Sequence, residues 1–395
     1  MKKNINDFNF FDKKVLLRLD LNVPISNGKI ESTKRIDEAL PTIKALVDKN
    51  ARITIVSHLG KPNGSVVEEL SLKPVYEYIK ERLNTKTYFS TNVANDKMNI
   101  EVNNLKNGEV LLLENIRFFK EEEENDEEFS KKLASPFDIF ILDAFGTSHR
   151  KHASTYGVSK YLESGVGLLV QKELGYLEDI FETSKHPILA ILGGAKVKDK
   201  LKVIDNLLDK VDVLIVGGGM SYTFIKALKG EVGKSIVDNE QIEYCYQMIK
   251  KAINNKVKLL LPVDNICSET LDCETIKYFT LAKMNKNYMA LDIGYKTIKL
   301  FKKHIKKAKT IIINGPMGVF ENEKFSLGTI EILKAIVNNK KAVKVAGGGD
   351  TVFAIEKYNL EFGFNHLSTG GGASLKLLEG NGLVAINNIS NKGEN

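Results

Sequence analysis

Ile188-Leu-Ala-Ile-Leu-Gly-Gly-Ala-Lys-Val-Lys-Asp-Lys200 decides the fold class of this chain. Five apolar residues in a row suit a strand buried on both faces, and Gly193-Gly194 then turns the backbone toward a helix-forming stretch. The same grammar repeats outward in both directions. Apolar runs recur at Val15–Leu19, Ile53–Ser57, Val110–Leu113, Phe137–Leu142, Val213–Val216, Lys258–Leu261, Thr310–Ile313 and Val343–Ala346. Between them, Ile36, Leu40, Ile43 and Val47 fall at helical spacing, as do Val203, Leu207 and Val211. Strands alternating with helices in this way specify an α/β protein with helices on both faces of parallel sheets.

At 395 residues the chain is too long for one ordinary core, so two domains are expected. The division is placed near residues 165–185, where Gly165-Val-Gly167 leads into a helical stretch, Leu169–Phe181, that ends before His186-Pro187. A hydrophobic content of 43% excludes the disordered and collagen-like classes. The net charge of +7 is modest, and residues 1–170 hold 25 basic and 25 acidic side chains, so the excess lies wholly in residues 171–395. No basic tail or stripe points to nucleic acid, and a non-catalytic nucleic-acid-binding module leaves the glycine-rich turns unexplained. Cys245, Cys267 and Cys273 lack zinc-ligand or CxxC spacing and read as free thiols of a reducing cytosol. The N-terminal Met-Lys-Lys-Asn-Ile-Asn lacks a signal-peptide run, and no stretch approaches the roughly 18 apolar residues of a membrane span, so a cytoplasmic location is expected. The acidic run Glu121–Glu128 reads as the solvated start of a helix, and the tail Asn391–Asn395 as frayed and polar.

In open α/β sheets ligands bind beyond the carboxyl ends of the strands. Side chains able to bind anions stand there one strand after another: Asp20 and Asn22, then His58 and Gly60, then Arg117, then Asp143 through His152. Such a set makes a basic pocket suited to a carboxylate and a phosphate, because Arg grips both as a two-pronged donor. The second half differs. Gly193-Gly194, Gly217-Gly-Gly219 and Gly347-Gly-Gly349 all follow strands and precede helices, where small residues admit a flat base and a polyphosphate to the backbone. Lys196 and Lys200 lie four apart beside the first of these turns, and Asp350 is placed to reach a magnesium ion. His366-Leu-Ser-Thr-Gly-Gly-Gly-Ala-Ser374 marks another helix start. A nicotinamide dehydrogenase needs GxGxxG after its first strand, and a P-loop kinase needs GxxxxGK[ST]; the chain shows neither arrangement.

Arg18–Pro24, Leu113–Phe118, Asp143–Gly146 with His149-Arg150, Gly193–Lys200, Asn314–Glu321, Gly347–Thr351 and Ser368–Ser374 together resemble the phosphoglycerate kinase family, from about Val15 to Ala385. The resemblance implies two Rossmann-like domains joined by a hinge helix. Residues 1–168 would bind 3-phosphoglycerate, residues 169–375 the nucleotide, and residues 376–395 would pack back onto the first domain. It implies that Asp20, Leu21, Asn22, Arg35, His58, Leu59, Gly60, Lys61, Arg117 and Arg150 hold 3-phosphoglycerate. Lys200, Gly294, Glu321, Gly348, Gly349, Asp350 and Thr351 would hold ATP or ADP, Glu321 at the ribose hydroxyls and Asp350 at Mg2+. A carboxylate nucleophile carries no proton at neutral pH, so the transfer needs charge neutralisation rather than a base; Arg35 and Lys196 are the candidates. Domains closing over the substrates would exclude water, with the Ser368–Gly372 loop as a second hinge element, and a monomer without membrane or nucleic-acid partners is expected. The chain departs from the family pattern with Lys61 for the usual Arg, Leu142 for Asn, Tyr295 for Pro and Ile313 for Trp.

Overall fold

The computed structural model describes residues 1–178, 180–272 and 275–393, so Cys273 lies outside the described residues. The chain divides into two compact units, Met1–Gly175 with a second piece from Gly382 onward, and Tyr176–Asn381.

The first unit is built on β1 (Lys14–Leu19), a small hairpin of β2 (Ile25–Ser26) and β3 (Lys29–Ile30), then β4 (Arg52–Val56), β5 (Thr87–Ser90), β6 (Val110–Leu113), β7 (Ile139–Asp143) and β8 (Glu163–Val166). Six of these form a parallel sheet in the order β5-β6-β4-β1-β7-β8. Its central strands show no alternation of burial, because helices cover both faces. The helix Lys34–Asp48 buries Ile36, Leu40, Ile43 and Leu46 in the same core as Val15, Leu17, Ile53 and Ile55. Val47, expected on that apolar face, is only half-buried, and Leu46 fills the place. Arg18 pairs with Val56 on one side and Leu142 on the other, so the carboxyl ends of β1, β4 and β7 are level. The strand order reverses beside β1 and β7, the position where such sheets open a crevice for ligand.

The second unit repeats the plan with β9 (Ile188–Leu192), β10 (Val213–Val216), β11 (Lys258–Leu260), β12 (Asp264–Ser268), β13 (Lys277–Thr280), β14 (Met289–Ile293), β15 (Thr310–Asn314), β16 (Val343–Gly347) and β17 (His366–Leu367). The parallel sheet has the order β11-β10-β9-β15-β16-β17, and β13-β12-β14 form a separate antiparallel sheet. Asn314 pairs with both Leu192 and Gly347, which sets the turns after β9, β15 and β16 side by side. Cys245 and Cys267 are buried free thiols in this unit, and burial pushes both up to about 12.

The division falls between Gly175 and Tyr176, near the end of the helix Leu168–Leu177 and later than the expected boundary at residues 168 and 169. The start of that helix is tied to the first unit, since Leu168 N donates to Thr42 Oγ1 (3.1 Å) and Val170 N to Asp143 Oδ1 (2.9 Å). Within the expected helical stretch Leu169–Phe181 the described residues form the helices Leu168–Leu177 and Ile180–Thr183, and Asp179 lies outside the described residues. The returning piece starts at Gly382 and not at residue 376, because the helix Gly372–Leu378 is held to the second unit, where Asn206 Nδ2 donates to Leu378 O (2.8 Å). From Gly382 on, the chain joins the first unit through Ala385 N to Ser148 O (3.0 Å) and a bridge between Lys2 and Asn391.

Candidate active site

In the first unit, Ser57 knits two strand ends together: its Oγ donates to Leu19 O (2.8 Å) and accepts from Leu21 N (2.9 Å). Asn22 Oδ1 accepts from Gly60 N (2.9 Å), so the Asp20–Asn22 and His58–Lys61 segments form one surface. Asp20 Oδ1 accepts from Arg35 Nη1 (2.9 Å), which brings the first turn of the helix Lys34–Asp48 to the same place. Gly60 has φ +61°, a left-handed conformation that favours glycine, and its carbonyl accepts from Arg117 Nη1 (2.8 Å). Asn115 fixes the remaining geometry. Its Oδ1 accepts from Leu59 N (3.2 Å) and Arg117 N (3.1 Å), while its Nδ2 donates to Leu59 O (2.7 Å) and Leu70 O (2.9 Å).

Arg117 is almost fully buried, yet its Nη2 has no hydrogen-bond partner among the described residues. A buried guanidinium with an unsatisfied donor is costly unless an anion completes it. Arg18 and His58 are buried next to it, with Arg150 and Arg35 close enough to perturb His58. Burial first, and then these cations, hold His58 well below the usual imidazole range and bring His152 down to about 4. Burial likewise lowers Arg18 to about 10. The cluster is cationic with neutral imidazoles, a setting for a ligand carrying more than one negative charge.

Asp143 does not join the pocket. It ends β7, is fully buried, and is spent on the start of the helix Leu168–Leu177. Lys61 is exposed and has no hydrogen bond or ion pair to other described residues. Arg150 is half-buried and donates through Nε to His149 Nε2 (3.4 Å). Glu122 corrects the reading of the acidic run: far from being solvated, it is fully buried and bonded to Ser154.

In the second unit, the turns after β9 and β15 approach so closely that a Cβ at Gly193 would lie 2.0 Å from Pro316 O. Lys200 Nζ donates to Gly193 O (2.7 Å) and Asn314 O (2.9 Å), locking the two turns, and burial lowers this lysine to about 8. Thr351 Oγ1 accepts from Gly315 N (2.6 Å) and adds the third turn. Gly348, at φ +90°, leads into the helix Gly349–Lys357, whose first N–H groups and dipole have the sign that favours an anion. The resulting cleft, about 350 Å3, is lined by Lys196, Lys200, Asn314, Gly315, Gly348, Gly349, Asp350 and Thr351. Asn314 Nδ2 is buried there without a partner among the described residues, a second orphan donor that sequence reasoning passed over.

A neighbouring chamber of about 500 Å3 shares Gly194, Ala195 and Asp350 with this cleft. Its walls include Met289, Leu291, Met317 and Val319, together with Gly218, Gly219 and the carboxylate of Glu321. An apolar slot running into a glycine-lined, lysine-bearing cleft has the order of a base, a ribose and a polyphosphate. Gly294 stands apart from both cavities, at the start of the helix Tyr295–Ile305 and against the Asp264 carboxylate.

Residues 5–381 match the family model described as phosphoglycerate kinase. The chain belongs to the phosphoglycerate kinase family. It is 48% identical over 395 residues to the phosphoglycerate kinase of Clostridium botulinum (strain 657), covering 99% of each chain, and 47% identical to that of Clostridium tetani, covering 99% of this chain and 98% of the other. Among solved structures, the phosphoglycerate kinase from Coxiella burnetii superposes with a TM-score of 0.89 at 38% identity, and that from Pyrococcus horikoshii OT3 with 0.81 at 32%, each covering 98% of both chains. The two sheets flanked by helices are thus the phosphoglycerate kinase fold. Of the four departures from the family pattern, Leu142 and Ile313 are buried inside strands, and Tyr295 is exposed and stacked on Tyr278 with centroids 5.4 Å apart. Only Lys61 stands beside the pocket.

Proposed function

We propose that this chain transfers a phosphoryl group reversibly between ATP and the carboxylate of 3-phosphoglycerate, giving ADP and 1,3-bisphosphoglycerate, as a monomeric glycolytic enzyme of the cytoplasm. The observation that carries the reading is the pair of orphan donors in a family member: Arg117 Nη2 in the cationic pocket of one unit, Asn314 Nδ2 in the glycine-lined cleft of the other. Among the described residues no helix is long and apolar enough to cross a membrane.

In the first unit Asp20, Leu21, Asn22, Arg35, His58–Lys61, Arg117 and Arg150 take 3-phosphoglycerate. Arg35, partly exposed, is set at the pocket by its ion pair with Asp20 and supplies the cation for the reacting carboxylate. In the second unit Lys200 and the Gly348–Thr351 turn take the phosphates, Glu321 the ribose and the apolar chamber the base, with Gly294 at the start of the helix Tyr295–Ile305 as a further nucleotide contact. The donor set also suits Mg2+, which takes one or two carboxylates and completes its shell with phosphate and water oxygens. Asp350, exposed where the cleft and the chamber meet, would hold it. An ion held by Asp350 would supply neutralisation of charge on the phosphates.

No residue has to remove a proton, because the attacking carboxylate is already ionised. The protein's task is electrostatic: to bring two anions together and stabilise charge spread over the transferring group. Lys196 is exposed in the cleft, beside the turn that holds the phosphates, so its ammonium is available to the transferring group in the transition state. ADP release from ATP that depends on 3-phosphoglycerate, followed by a coupled assay, tests the assignment. Lys196→Ala is expected to lower kcat by about 100- to 1000-fold with smaller changes in either KM. A variant with near-normal kcat removes Lys196 from the mechanism, and a wild type without 3-phosphoglycerate-dependent turnover removes the assignment.

A further inference from the structure

Glu122 has no role in the reading above, yet it is the carboxylate most deeply set against the cationic pocket. Its Oε2 accepts from Ser154 N (2.7 Å) and its Oε1 from Ser154 Oγ (2.6 Å). Ser154 Oγ has one proton, given to Glu122, and its lone pair accepts from Arg18 Nε (2.8 Å). Arg18, fully buried, donates through Nη1 to Leu19 O, and its Nη2 meets His58 Nδ1 at 3.3 Å. A guanidinium only donates, so Nδ1 is the acceptor, and the neutral ring carries its proton on Nε2.

We propose that Glu122 is a positioning residue for the 3-phosphoglycerate pocket: through Ser154 and Arg18 it fixes His58 as a neutral imidazole whose donor is Nε2–H. The proposal rests on the assignment of 3-phosphoglycerate to that pocket. Every member of the relay is buried, so each hydrogen bond is held in one geometry without competition from water. The charged groups around Glu122 are Arg18 and Arg117, with His152 Nδ1 at 3.8 Å, and Glu123 is engaged by Arg117 Nε at 3.3 Å.

A simpler role, that of a counter-charge for the arginines, predicts the opposite sign. Neutralising a counter-charge would leave the pocket more cationic and lower the KM for an anionic substrate. Losing the positioning relay would raise it. In Glu122→Gln one carboxylate oxygen becomes an NH2 that cannot accept, so one of the two Ser154 donors loses its acceptor and the hydroxyl that receives Arg18 Nε is no longer held in one orientation; Glu122→Asp keeps the charge but not the reach.

The experiment combines steady-state kinetics with 15N-imidazole NMR of the full chain. Wild type without substrate is expected to show His58 as the Nε2–H tautomer across neutral pH. Glu122→Gln, Glu122→Asp and Ser154→Ala are each expected to raise the KM for 3-phosphoglycerate about 10-fold, the size of one lost charge-assisted hydrogen bond. The KM for ATP should stay within about 2-fold, and the His58 signals should shift to mixed tautomers. An Nδ1–H tautomer in wild type overturns the proposal, and so does a folded Glu122→Gln with unchanged or lower KM. Should the Glu122 variants fail to fold, Ser154→Ala and the wild-type spectrum decide it alone. The spectrum needs no turnover, so failure of the relay and failure of the substrate assignment give different results.

Discussion

Lys200 shows how a residue's surroundings set its chemistry. Its ammonium is held by two backbone carbonyls, Gly193 O and Asn314 O, and burial lowers it to about 8. In the free protein a large share is therefore neutral at pH 8.5. A bound polyphosphate favours the charged form, so ADP binding at pH 8.5 is expected to take up protons, while binding at pH 6.5 takes up none at this site. Titration calorimetry in buffers of different ionisation enthalpy measures the uptake. Lys200→Arg should abolish it, because a guanidinium stays charged throughout. Uptake unchanged in that variant would assign the proton to another group. The sequence placed Lys196 and Lys200 together at one glycine turn, but not the difference between them. Lys196 stands exposed in the cleft, whereas Lys200 clamps the turns after β9 and β15, which are far apart in the chain. Asn115 was invisible as a functional residue for the same reason: its partners Leu59 and Leu70 lie 56 and 45 residues away.

At the scale of elements, a buried carboxylate on β14 controls the entry of a neighbouring helix. Asp292 is fully buried and accepts from Gly328 N (2.6 Å), in the first turn of the helix Leu327–Asn338, and from Ile293 N (2.8 Å). Burial raises it from 3.8 to about 7. The folded state thus binds this proton more tightly than the unfolded chain, so the stabilisation is complete below about pH 4 and is lost as pH rises through 7. Asp143, raised to about 6 by burial, works in the same direction. Subtracting the urea-unfolding free energy of Asp292→Asn from that of wild type isolates the single site. The difference is expected to fall by an amount on the order of a few kcal/mol between pH 5 and pH 8. A difference independent of pH would mean that Asp292 does not titrate in that range. The strands that the sequence revealed are those buried on both faces: Val110–Leu113, Ile188–Leu192 and Val213–Val216 carry uninterrupted apolar runs. Those it missed lack that signature. Thr87–Ser90 is an edge strand of mixed polarity, and β12, Asp264–Ser268, buries the polar Asn265, whose Oδ1 accepts from Tyr222 Oη. The acidic run hid Glu122 among identical neighbours, since its partner Ser154 lies 32 residues on.

Across the whole molecule, the two proposed anion sites differ in construction and lie in two separate compact units. The first is made of side chains: Arg117, Arg150, Arg35 and His58, supported by Asn115 and Ser57. The second is made mainly of backbone turns locked by Lys200 and Thr351, with Asp350 where the cleft meets the chamber. Because no residue of one site belongs to the other unit, each ligand should be lost independently. Arg117→Ala removes the buried guanidinium with the orphan Nη2 and leaves the glycine turns untouched. It is expected to weaken 3-phosphoglycerate binding by about 10- to 100-fold, the cost of a charged hydrogen bond, and to leave ADP affinity within about 2-fold. Asp350→Ala should do the reverse. It should lower affinity for Mg-ADP, have less effect on ADP measured with a chelator present, and leave 3-phosphoglycerate binding unchanged. Calorimetric titration of each variant with each ligand alone gives the four numbers needed. Two large effects on the diagonal and two small ones off it are the expected pattern, whereas crossed effects of equal size would mean that the two ligands share a site.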